Sequence, residues 1–118
     1  MYNQRNFKYA LELFEDILSQ DQDNNYVKLY TGLTYIELGL SSVDKETSMQ
    51  QFNKAVIVFE ELISTNDKLF EDQALWYLSL SYIRSGNFSD AETYLIELAQ
   101  GDYVYKESAQ ELLKIIRK

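Results

Sequence analysis

Carboxylates are the side chains this sequence supplies most freely for chemistry. The chain holds 19 Asp and Glu against 11 Lys and Arg, with no histidine and no cysteine. Adjacent carboxylates occur at Glu60-Glu61 and Glu71-Asp72. Such a pair works as general acid and base only where a pocket drives the two pKa values apart. Both pairs here lie in polar runs of the kind that coat a solvated helix face. Without histidine or cysteine the chain lacks the commonest general base, a thiolate nucleophile and the usual transition-metal ligands. No glycine-rich phosphate cradle is present either. The reading is non-enzymatic, with no cofactor and no metal.

Three further patterns have a chemical and a plainer interpretation. Asp21-x-Asp23-x-Asn25 opens like a calcium loop, but that loop needs glycine at its sixth place and glutamate at its twelfth, where Tyr26 and Gly32 stand. A polar connection with Asn24 or Asn25 capping the next helix is the better account. Asn87-Phe88-Ser89 is a formal glycosylation sequon, and Asn87 as a helix N-cap explains it more simply. The ten tyrosines could stack on single-stranded nucleic acid, but that needs a basic groove beside them. The formal net charge is −8, so no nucleic-acid partner is expected. A small positive tail, Lys106, Lys114, Arg117 and Lys118, suits the C-terminal end of a helix dipole. No apolar run reaches the roughly 18 residues of a membrane span. Met1 leads directly into polar residues, so no signal peptide and no direct membrane insertion are expected.

The elements that carry these residues read as helices. Proline is absent and glycine occurs four times, which favours helix over most of the chain. One pattern appears three times: Phe7-x2-Ala10-x3-Phe14-x2-Ile17, Phe52-x2-Ala55-x3-Phe59-x2-Leu62 and Phe88-x2-Ala91-x3-Leu95-x2-Leu98. Steps of three and four residues keep the four side chains on one helical face. A second pattern precedes two of the copies: Gly32-x2-Tyr35-x3-Gly39 and Ser79-x2-Tyr82-x3-Gly86. Its small residue allows close helix packing, and its final glycine suits a left-handed turn. The spacing predicts an all-α domain of six helices, near 4–19, 24–40, 48–64, 69–85, 88–100 and 105–117. Helix pairs would stack antiparallel, in an arrangement that resembles a short right-handed solenoid.

These paired patterns resemble the tetratricopeptide repeat. The unit Ala74–Ala99 carries the resemblance best, with Ser79, Tyr82, Gly86, Phe88, Ala91, Leu95 and Leu98 at the family's positions. The family's leading tryptophan position falls on Leu75, with Trp76 one residue later, and its usual proline is missing. The resemblance implies one domain over 1–118. Within it, 6–19 is helix B of an incomplete first repeat, 24–64 a second repeat, 69–100 a third and 105–117 a capping helix. The alanines are 45 and then 36 residues apart, against a family period of about 34. The excess falls at 40–51, read as an insertion between helices, with Ser48-x-x-Gln51 as a capping box. That insertion is expected to tolerate deletion.

The resemblance also implies a function. Members of the family bind partner proteins on an inner surface lined by the first helix of each pair. Carried onto this chain, those positions are Tyr26, Leu29, Leu33, Ile36 and Glu37, then Gln73, Trp76, Leu80, Ile83 and Arg84. Lysine and asparagine, which clamp acidic tails in some members, are replaced by Leu29, Leu33, Trp76 and Leu80, so an apolar or helical segment is the expected ligand. Alternatively, the array fills its own inner face. The first helix lacks a preceding helix A, and Phe7, Leu11, Phe14 and Leu18 are its candidates for self-association, as a homodimer or beneath a missing upstream helix. The stretches DQALWYLSLSYIRSG and YKESAQELLKIIRK are further similar to the C-terminal soluble part of bacterial membrane-anchored repeat proteins. That similarity implies a periplasmic domain of a larger protein, and otherwise a cytoplasmic one.

Overall fold

The computed structural model describes residues 4–117, and Met1 and Lys118 lie outside the described residues. Six helices follow one another: α1 (Gln4–Gln20), α2 (Asn25–Ser41), α3 (Lys45–Ser64), α4 (Glu71–Arg84), α5 (Phe88–Gln100) and α6 (Lys106–Ile116). There is no strand among the described residues. Each helix packs on the next in sequence, and α2 also touches α4. Among the described residues no helix is long and apolar enough to cross a membrane.

The α2–α3 pair shows how the small residues set the packing. A Cβ built on Gly32 would come within 2.4 Å of the Phe59 ring, and one on Gly39 within 2.7 Å of Phe52. The higher-numbered glycine meets the lower-numbered ring, so the two helices run antiparallel. Phe52, Ala55, Phe59 and Leu62 are all buried on this seam. Each large apolar side chain removed from water contributes roughly 1.5–3 kcal/mol. In the α4–α5 pair Ser79 takes the place of Gly32. It is wholly buried, and its hydroxyl donates to the Leu75 carbonyl at 2.8 Å. That internal bond satisfies a polar group that would otherwise be stranded. Leu75, Leu95, Leu98, Ala109 and Leu113 form a second core where α4, α5 and α6 meet.

Two local expectations are corrected. Gly39 does not end its helix: it is buried within α2, and among the described residues the positive φ values are those of Gly86 (84°) and Asn66 (58°). The region 40–51 is no loop insertion. The helices extend across it, leaving only a short turn. Asp44, not Ser48, caps α3, accepting from the Thr47 amide at 3.1 Å and the Thr47 hydroxyl at 2.8 Å. Ser48 lies inside α3 and donates its hydroxyl to the Gly39 carbonyl at 2.6 Å, which fastens the two helices together. Gln51 caps nothing, and its Oε1 is buried with no hydrogen-bond partner. A carboxylate at the N-cap also favours the positive end of the helix dipole, which is why Asp44 outcompetes Ser48.

Asn24 and Gly86 act as their residue types suggest, and Asn87 only in part. Asn24 accepts from the Val27 amide at 3.1 Å and caps α2. Asn25 reaches across to the α3–α4 connection, donating to Asp67 Oδ2 at 3.0 Å. Gly86 and Asn87 close α4 through amide bonds to Ile83 and Tyr82. Asn87 holds the N-cap position of α5, but its side chain donates to Ser85 Oγ at 3.2 Å rather than capping the helix.

Three stability outcomes are expected in thermal or denaturant unfolding. Gly32→Ala forces its methyl against Phe59, and Ala91→Leu overfills a wholly buried site, each costing roughly 1–3 kcal/mol. Deleting Ser42–Thr47 removes the turn and the Asp44 cap, so it lowers the melting temperature. A deletion variant that melts like the parent would show that the turn contributes nothing.

Candidate partner-binding face

On α2, Tyr26, Tyr30, Leu33, Glu37 and Leu40 recur at steps of four and three and share one stripe. Tyr26, Tyr30 and Leu40 are exposed, while Leu33 and Glu37 are half-buried. On α4 the matching stripe is Gln73, Trp76, Leu80 and Arg84, the first three half-buried and Arg84 exposed. The C-terminal halves of these two helices enclose a mostly apolar cleft of about 110 Å³, lined by Ile36, Leu40, Leu80, Ser81 and Arg84. Three residues named from the sequence, Ile36, Leu80 and Arg84, therefore come together. Leu40 is a lining residue that sequence reasoning missed, because it was assigned to the insertion. The continued three-and-four spacing from Leu33 through Leu40 was the signal that could have found it.

The other candidates are placed differently. Leu29 is buried in the core with Ala55, Phe59, Ala74 and Leu78, so it is not available to a partner. Ile83 packs against the second core, under α5 and α6, and is turned from the cleft. Tyr26 sets its ring edge-on to Phe70, with centroids 4.8 Å apart. Trp76 stacks on Tyr105 at 5.1 Å and 5°, so one ring face is already covered. Tyr105 in turn meets Tyr77, and Tyr77 stacks on Phe59, which joins the tryptophan to the core through a run of rings. Gln73 lines a separate hollow of about 210 Å³ with Leu69, Asp72, Val104 and Tyr105.

The carboxylate pairs serve as structural acceptors. Tyr103 donates its hydroxyl to Glu71 Oε1 at 2.6 Å, and the Val104 amide donates to Asp72 Oδ2 at 3.0 Å. Together they dock the α5–α6 connection onto the start of α4. The Tyr103 bond, followed by Lys68, holds Glu71 below its ordinary pKa. The same bond, with burial next, pushes the Tyr103 phenol up to about 12. Glu61 lies 3.8 Å from Lys28, and Glu60 faces Tyr82, whose phenol is pushed up to about 12, first by burial and then by Glu60. Asp21 and Asp23 are exposed while Asn25 turns to Asp67, so these three side chains do not converge on one point. Among the described residues no group of three His, Cys, Asp or Glu could hold a metal ion. In the tail, Arg117 pairs with Glu92 at 3.1 Å and Lys114 with Glu111 at 3.7 Å.

The Glu71–Tyr103 bond predicts two pH limits. The Glu71 pKa is depressed on folding, so its contribution is full above the ordinary glutamate value and fades as pH falls through the folded one. The Tyr103 pKa is raised on folding, so its contribution is full below about 10 and is lost as pH rises through about 12. Tyr103→Phe should cost about 1 kcal/mol near neutrality and flatten both limbs of a stability–pH curve. Unchanged limbs in that variant would show that the bond does not form in solution.

Comparison of the chain with models of protein families, with curated proteins and with solved structures returns no match.

Proposed function

We propose that this chain is a tetratricopeptide-type array that binds another protein, seating an apolar side chain of the partner in the cleft between α2 and α4. The observation that carries the reading is the cleft itself. Ile36, Leu40 and Leu80 supply its apolar wall and Arg84 its rim. Leu40 is half exposed, whereas Leu33 and Glu37 of the same stripe are half-buried. Concave apolar sites with one or two polar groups at the edge are the usual form of a recognition pocket. The close approach of Gly32 to the Phe59 ring, and the wholly buried small residue Ser79 at the equivalent place in α4, support the repeat assignment. An apolar helix or extended segment fits the face better than an acidic tail, since Leu33, Trp76 and Leu80 stand where cations would be needed. A membrane-anchored parent protein, with this domain outside the bilayer, accords with the similarity of its third unit and tail to such repeat proteins. No catalytic role and no nucleic-acid partner belong to this reading.

The test uses capture of native partners by the wild type, Leu40→Asp and Leu80→Asp side by side. Both positions are partly open, so the substitutions leave the core intact, which circular dichroism checks. The aspartate variants should lose partners that the wild type retains. Identical partner sets would reject the cleft. Retention on heparin at low salt that is lost as salt rises would instead favour a nucleic-acid surface.

A further inference from the structure

The three copies of the aromatic–alanine pattern are not buried equally. In α3 Phe52, Ala55, Phe59 and Leu62 are all buried, and in α5 Ala91, Leu95 and Leu98 are wholly so, with the leading Phe88 exposed. In α1 none of the matching residues is: Phe7, Ala10 and Phe14 are half-buried and Ile17 is 42% exposed. The cause is positional. Both α3 and α5 lie between two helices, whereas α1 packs against α2. The self-association candidates Phe7, Leu11, Phe14 and Leu18 are all half-buried, on the side that faces α2. The open side is a different stripe. Tyr9, Leu13 and Ile17, at steps of four residues, are 61%, 45% and 42% exposed.

We propose that two copies of this chain pair through the Tyr9–Leu13–Ile17 stripe of α1, antiparallel across a two-fold axis. Two features favour a second copy over a foreign helix. The stripe is symmetric about Leu13, so reversing it sets Leu13 on Leu13 and Tyr9 on Ile17 of the other copy. One rim of the stripe carries Lys8, Glu12 and Asp16, all exposed and again four residues apart. Antiparallel pairing lays that rim on its own reverse: Lys8 of each copy comes toward Asp16 of the other, two opposite-charge pairs that outweigh the single meeting of Glu12 with its exposed counterpart at the axis. Parallel pairing about a two-fold would carry that rim to the opposite side of the seam and make no such pair. A two-fold contact of this kind is closed, so association stops at two. The cleft between α2 and α4 is lined by neither α1 nor its stripe and stays open in the pair.

Sedimentation equilibrium over a wide concentration range tests this. The wild-type mass should rise to two chains and no further. Leu13→Glu should remain a monomer with unchanged helicity, because Leu13 lies outside the α2 contact. Lys8→Glu and Asp16→Lys should each weaken pairing several-fold, and the two together in one chain should restore it. A wild type that stays monomeric, a mass that climbs past two, Leu13→Glu that still pairs, or a double exchange that fails to restore pairing would each overturn the proposal.

Discussion

The structure depends on a ring set against bare backbone. Phe59 lies where the Cβ of Gly32 would be, and Phe52 where that of Gly39 would be. Those two contacts fix how near α2 and α3 approach and in what register. The wholly buried Phe59 then carries the constraint onward, because the Tyr77 ring of α4 stacks on it at 6.0 Å. From Tyr77 the path runs to Tyr105 and Trp76, so the position of α4 beside α2 follows from the first contact. The cleft lined by Ile36, Leu40, Leu80 and Arg84 is the space left between two helices held by that arrangement. Protein interiors are packed densely enough that such a contact is felt beyond its own residues.

Polar groups in this chain mostly tie connections down. Asn25 ties the start of α2 to Asp67 in the α3–α4 connection, and Glu71 and Asp72 hold the α5–α6 connection. Ser48 bonds the Gly39 carbonyl across the α2–α3 hairpin. Buried polar atoms need partners, and these bonds supply them where helices end and backbone groups are left over.

The helices were legible because apolar spacing of three and four residues survives in every one, and proline never interrupts it. Element existence followed from that spacing alone. The α2–α3 turn was misread because Gly39 was given the role of Gly86. One glycine has a positive φ and open space around it, while the other has helical backbone and a phenyl ring against it. Residue type cannot distinguish a turn glycine from a contact glycine, since both uses exploit the missing side chain. The same ambiguity hid Asp44 as the cap and Leu40 as a lining residue. Leu29 and Ile83 failed as surface candidates for another reason. Helical spacing assigns a face, but the depth of a neighbouring helix decides whether that face is core or surface, and depth has no local sequence signal.

The central claim is the register of α2 on α3, and nuclear Overhauser effects read it directly. Strong effects should connect the Gly32 α-protons to the Phe59 ring and the Gly39 α-protons to the Phe52 ring, with none between Gly39 and Phe59. Effects linking Gly39 to Phe59, or the absence of both expected contacts in a folded sample, would contradict the account.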